Sequence, residues 1–210
     1  VKHATIYAFG SDNAGQIQKY LDSDVYKQLA ADTGATLDMF FGPLSKAPFD
    51  VVIAPGNSYG IMTGGFDQGL VDLFGEKLQN RVQHVIRTKH AGELNVGAAI
   101  FVKCMDEENR HCAYAPTMRT PKELPRNSDI PYMATRAALL MIDKADIGPE
   151  PQILIPLMGV GTGGLDVKYV LIQIHMALGS IANPRNVTNL NDGQDIDQAI
   201  TVYGAASRFR

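Results

Sequence analysis

Two apolar, strand-like runs each end in a glycine-rich loop, and each loop leads into a stretch with helical periodicity. The first unit, residues 50–67, reads Asp-Val-Val-Ile-Ala-Pro-Gly-Asn-Ser-Tyr-Gly-Ile-Met-Thr-Gly-Gly-Phe-Asp. The second, residues 153–164, reads Ile-Leu-Ile-Pro-Leu-Met-Gly-Val-Gly-Thr-Gly-Gly. Short apolar runs without alternation suit strands covered on both faces, which narrows the fold to layered α/β arrangements. Loops of this kind expose backbone N–H groups near helix amino ends, where the local field favours anions. Two of them in one chain predict a clamp for a phosphate-bearing ligand.

The rest of the chain supplies partners for these units. Residues 5–9 and 36–41 read as strands, and residues 51–54, 98–102, 112–115 and 152–157 as four more. Ile17, Tyr20, Leu21, Val25 and Leu29 recur at helical spacing and predict one helix after the first strand. Leu70, Val71, Phe74, Leu78, Val82, Val85 and Ile86 form a longer stripe. Gly75 inside it costs about 1 kcal/mol relative to Ala, and the length of the stripe still predicts one continuous helix. Ser128 or Asp129 caps the next helix, with Pro131 in its first turn, and Met133, Ala137, Leu140 and Met141 as its buried face. Asp166 caps another, carrying Val167, Val170, Leu171, Ile174, Leu178 and Ile181. Residues 200–203 predict a last edge strand.

Strands alternating with helices, with one hairpin near the centre, predict an α/β fold with a mixed, mostly parallel central sheet covered on both faces. With 210 residues, 45% of them apolar, and no Gly/Ser-rich linker, one domain over 1–210 is expected. Ligands of such sheets sit beyond the carboxyl ends of the strands, where both glycine-rich loops lie. The net charge of −3 and the lack of a basic run argue against a dedicated nucleic-acid binder. Cys104 and Cys112 would face each other across the hairpin, and are expected as buried, reduced thiols, which suits a cytoplasmic location. No run of residues approaches the length of a membrane span.

Gly159-x-Gly161-x-x-Gly164 matches the dinucleotide fingerprint letter by letter. A Rossmann unit also needs a following strand with an acid about 20 residues on, and residues 184–191 offer neither. A phosphate cradle of another fold, glycines that merely permit a tight strand–helix turn, and a NAD-dependent Rossmann-type oxidoreductase all remain as readings. Arg119, in the loop after the fifth strand, has the fork geometry to pair with a phosphate or carboxylate, although an exposed loop arginine needs no ligand. Tyr59 and Met62 either line a pocket or pack the loop. His3, His84, His90, His111 and His175 show no metal-ligand spacing, so neither a metal nor a cofactor is expected.

The order and spacing of these pieces over residues 50–182 resemble the macrodomain family, the ADP-ribose-binding module. The resemblance rests on Val-Val-Ile-Ala-Pro-Gly-Asn57 followed by Thr63-Gly64-Gly65-Phe66-Asp67, on the 92–99 segment Gly-Glu-Leu-Asn-Val-Gly-Ala-Ala, and on the second loop. It implies a three-layer α/β/α macrodomain-like fold, with residues 184–210 as a C-terminal extension. It places Asn57 at the ribose distal to adenine, where an amide both donates and accepts; an Asn chosen for turn geometry is the alternative. It places the backbone of Gly64, Gly65 and Phe66 against pyrophosphate and ribose, and wraps the phosphates from the other side with Gly159, Val160, Gly161, Thr162, Gly163 and Gly164. A backbone nest of this kind binds anions without Arg or Lys. Asp67 falls where hydrolytic members carry an Asp that activates or positions water; an ordinary helix N-cap is the alternative.

The chain departs from the family pattern at Pro43, where an adenine-reading acid is usual, at Ala54-Pro55, at Phe66 in place of a third glycine, and at Gly163 in place of an aromatic. Asp12 is a substitute candidate for adenine. The resemblance therefore implies a divergent member that binds ADP-ribose or a related nucleotide derivative, free or on an ADP-ribosylated macromolecule. Hydrolysis of an ADP-ribosyl linkage, a non-catalytic reader and a nucleotide sensor are the readings it leaves open.

Overall fold

A computed structural model describes residues 1–184; the expected edge strand at 200–203 lies outside them. Six strands, β1 (His3–Ala8), β2 (Thr36–Phe41), β3 (Val51–Ala54), β4 (Ile100–Lys103), β5 (His111–Tyr114) and β6 (Ile153–Pro156), form one sheet in the order β2-β1-β6-β3-β5-β4. All neighbours are parallel except β4, which pairs antiparallel with β5. The helices are α1 (Ser11–Leu21), α2 (Asp24–Thr33), α3 (Gly65–Phe74), α4 (Glu76–Lys89), α5 (Ile130–Lys144) and α6 (Val167–Ala182). None of these is long and apolar enough to cross a membrane.

Period-two alternation along the central strands sorts their side chains into two cores. Val51 and Ile53 of β3, Ala113 of β5, and Ile153 and Ile155 of β6 pack with α1, α2, α5 and α6. Val52, Ala54, Cys112, Tyr114 and Leu154 pack on the opposite face with α3 and α4. The result is the expected three-layer arrangement. Cys104 and Cys112 are both free and buried in the second core.

Two expected helices are each two. The first breaks at Ser23, whose Oγ accepts from Tyr26 N (3.2 Å) and donates to Tyr20 O (2.6 Å), so a cap interrupts a stripe that periodicity alone carries through. The longer stripe breaks at Gly75, which takes φ +80° and closes α3 through its N–H on Val71 O. Leu70, Phe74, Leu78, Val82 and Ile86 stay in one core on both sides of the break, which is why the pattern concealed it.

On α5 the buried face is Ala134, Thr135, Ala138, Leu139 and Ile142, one helical step from the expected Met133, Ala137, Leu140 and Met141; Met133 is exposed. Small residues let α5 lie closely on α6, a contact that leaves no trace in local periodicity. Gln173 of α6 fixes its start, accepting from Tyr132 N (2.9 Å) and donating to Ser128 O (3.0 Å). Helix α6 is buried over most of its circumference, as befits a helix enclosed by α1, α2, α5 and the sheet.

His175 lies within that enclosure. Its Nε2 donates to Ala35 O (2.9 Å), so Nδ1 accepts from Tyr20 OH (3.1 Å). Burial lowers the affinity of this imidazole for a proton. The unfolded chain therefore protonates His175 first as the pH falls, and the stability it contributes is full above about pH 6.5 and lost as the pH drops through that value toward the lower folded one. Replacing it, His175→Gln, is expected to cost about 1–3 kcal/mol at neutral pH through the disturbed Tyr20 and Ala35 partners. The same variant is expected to show a shallower decline of unfolding free energy between about pH 7.5 and 5.5 in urea titrations.

Candidate functional site

The carboxyl ends of β1, β3, β5 and β6 open onto one cleft of about 640 Å³, within the size range of nucleotide and cofactor sites. Its walls are the loops that follow those four strands.

The β3–α3 loop is held from beneath. Tyr114 OH accepts from Asn57 N (2.9 Å) and donates to Asn57 O (2.8 Å). The phenol lies so close under Gly56 that a Cβ there would overlap it. The loop is also zipped to the β5–α5 loop, with Ser58 N on Met118 O (3.1 Å) and Thr117 N on Gly56 O (3.1 Å). The Asn57 side chain builds the turn: Oδ1 accepts from Tyr59 N (3.1 Å) and Ile61 N (3.3 Å), and Nδ2 donates to Ile61 O (2.7 Å). One Nδ2 proton is left for a further acceptor. Tyr59 lines the cleft, whereas Met62 is fully buried in the second core.

Helix α3 starts from Gly64, which has no side chain to cap it. The N–H groups of Gly65, Phe66 and Asp67 in its first turn find no acceptor among the described residues. Asp67 is therefore not the N-cap. It is the third residue of the helix and is 7% exposed, with an Oδ1 that has no hydrogen-bond partner. Burial pushes its carboxyl up to about 7.

The β6–α6 loop folds on itself. Val160 N donates to Leu157 O (3.3 Å), Gly164 N to Val160 O (3.1 Å) and Leu165 N to Gly159 O (3.2 Å). Leu124 N, from the proline-rich β5–α5 segment, donates to Gly163 O (2.9 Å). The N–H groups of Gly161, Thr162 and Gly163 find no acceptor among the described residues. These donors come from turns and not, as expected, from a helix amino end: α6 begins at Val167 and is capped by Asp166, whose Oδ1 accepts from Tyr169 N (2.9 Å).

Asn57, Gly64, Gly65, Phe66 and Asp67 line the same cleft as Gly159, Val160, Gly161, Thr162 and Gly163. Gly164 supports the turn at φ +67° without joining the lining. Arg119 does not join it either: its side chain is 63% exposed, with Nη2 on Glu93 Oε2 (2.8 Å) and Nε on Tyr59 OH (3.2 Å). Asp12 is exposed, and its neighbour Asn13 lines the cleft instead. Among the described residues, no Lys, Arg or His belongs to the lining, and Asp67 is its one carboxyl. Sequence reasoning missed Tyr7, Phe9, Thr117, Thr120 and Pro121. Phe9 is 72% exposed at the carboxyl end of β1, and the rule that put both glycine loops at that sheet end would have pointed to it.

A protein-family model described as "Macro domain" matches residues 53–174. An uncharacterized protein of Aquifex aeolicus (strain VF5) is 30% identical over 124 residues, covering 59% of this chain and 69% of that one. The macrodomain of Mycobacterium tuberculosis DarG superposes with a TM-score of 0.57 at 18% identity, over 68% of this chain and 89% of the other. A variant of the Oceanobacillus iheyensis macrodomain with ADPR gives 0.58 at 14% identity, over 77% and 89%. The family match sets the Rossmann reading aside.

The loop glycines divide by what surrounds them. A Cβ on Gly56 overlaps the Tyr114 ring, whereas one on Gly161 meets open space at an ordinary φ. Gly56→Ala is expected to lower unfolding free energy by about 3 kcal/mol, and Gly161→Ala by less than about 1 kcal/mol; denaturant titration of both variants checks the contrast.

Proposed function

Because the chain belongs to the macrodomain family, we propose that its cleft binds ADP-ribose or a close ADP-ribosyl derivative, free or carried on a macromolecule. One observation carries this reading: among the described residues, two sets of main-chain N–H groups without an acceptor, at 65–67 and 161–163, border a single cleft that has no cationic side chain. Main-chain donors on two walls suit a diphosphate, whose charge is spread over several oxygens. Gly161, where the fold itself has no need of glycine, leaves room for close approach. Exposed Phe9 offers a stacking face for adenine, replacing the acid absent at Pro43. The remaining Nδ2 proton of Asn57 suits a ribose hydroxyl. Arg119, committed to Glu93, has no part in this reading.

Hydrolysis of an ADP-ribosyl bond is a second reading, and Asp67 favours it. A carboxyl that changes protonation near neutral pH can exchange a proton with a leaving group or water at the anomeric carbon. At about pH 7, Asp67→Asn is expected to keep affinity for ADP-ribose within about threefold. If the protein is a hydrolase, the same variant loses turnover of ADP-ribosylated substrates by at least about a hundredfold. Absence of turnover in both forms would mark a reader.

A thermal-shift panel of ADP-ribose, AMP and NAD tests the binding reading. Ligand at a hundred times its Kd adds about 2.7 kcal/mol, which for a chain of this size is a rise of roughly 5–10 °C. ADP-ribose is expected to give that shift and AMP much less; equal shifts with both would overturn recognition of the distal ribose.

A further inference from the structure

Asp67 raises a problem that the binding reading leaves open. The cleft is suited to an anion, yet its one ionisable acid is buried in the same wall. Among the described residues, no Lys, Arg or His lines the cleft to offset a carboxylate. Oδ1 receives no hydrogen bond, although a buried carboxylate is ordinarily held by several donors. The ionisable groups that sense Asp67 are Tyr114 and Cys112 of β5. Burial keeps both neutral, and either one ionised would be a further anion, so neither supplies a counter-charge. Helix α3 and the β3–α3 and β6–α6 loops contribute main-chain dipoles and the side chains of Asn57, Tyr59, Thr63 and Thr162 to the lining, none of them cationic.

Resting on the ADP-ribose reading, we propose that Asp67 enters the complex as the neutral acid, taking one proton from solvent and presenting its O–H to an acceptor oxygen of the ligand. The physical reason is charge. A diphosphate brought into a partly desolvated cleft strongly disfavours a second anion beside it. The protonated carboxyl removes that repulsion and turns an unpaired acceptor into a donor. Free Asp67 stands near the midpoint of its titration at neutral pH, so the protein holds this proton already at pH 6 and must acquire it at pH 8. Asp67 thereby selects for an oxygen acceptor at its position and makes retention of the ligand depend on pH.

ADP-ribose is the suitable probe, because its diphosphate is a diester and stays fully ionised over the range examined. Calorimetric titration at about pH 8 in buffers of different ionisation enthalpy counts the protons taken up. The expected value is most of one proton per site, with affinity falling about tenfold or more between about pH 6.5 and 8.5. Asp67→Asn, a neutral isostere with an N–H donor, is expected to bind with no proton uptake and a flat pH profile, more tightly than the natural protein at pH 8.5. Binding without proton uptake in the natural protein would overturn this inference and leave the ADP-ribose reading intact. A pH dependence that persists in Asp67→Asn would overturn it as well, since another group would then be titrating. No binding by either form at pH 6.5 would overturn both readings together.

Discussion

The two-way hydrogen bond between the Tyr114 hydroxyl and the backbone of Asn57 fixes the geometry on which the cleft depends. Tyr114 ends β5, Asn57 lies just beyond β3, and the two strands are neighbours in register. The phenol therefore ties the start of one loop to the sheet it leaves. Gly56 admits the ring, and the adjoining parallel bridge from Asn57 to Met118 brings the β5–α5 loop into the same wall. From that anchor the chain has a set distance to α3, whose uncapped first turn lies on the cleft. Leu124 then links the β5–α5 segment to Gly163, so hydrogen bonds connect all three loops.

The electrostatic character of the site follows from that assembly. In the proposed binding mode, attraction for an anion resides in main-chain dipoles held in place by loop-to-loop hydrogen bonds, which cost no side-chain entropy to orient. Arg119, beside Tyr59 of the lining, is committed to Glu93. Under these conditions a buried acid within the lining matters more than it would beside a lysine, which is the ground for the proposed role of its proton.

Much of this was legible in the sequence. The two glycine loops, their place at the carboxyl ends of strands and the mixed sheet follow from local apolar runs and turn residues. So does the cap at Asp166. What escaped was of two kinds. The helix breaks at Ser23 and Gly75 were hidden because the same face stays buried across each interruption, so the stripe continues although the hydrogen-bond ladder does not. The face of α5 was displaced by one step because Gln173 and the packing on α6 set its rotation, and neither is encoded within α5 itself.

The site divides along the same line. The chain's own order of residues determined that glycine-rich turns and an acid would gather at one end of a layered sheet, because strand polarity and turn chemistry are local properties. Only the tertiary structure decided that Asn57 builds its turn with all but one Nδ2 proton, that Arg119 pairs with Glu93 outside the cleft lining, that Phe9 enters the lining, and that Asp67 is buried with an unpaired oxygen. Each of these depends on which distant groups become neighbours, and hydrogen-bond capacity and desolvation are settled by neighbours in space.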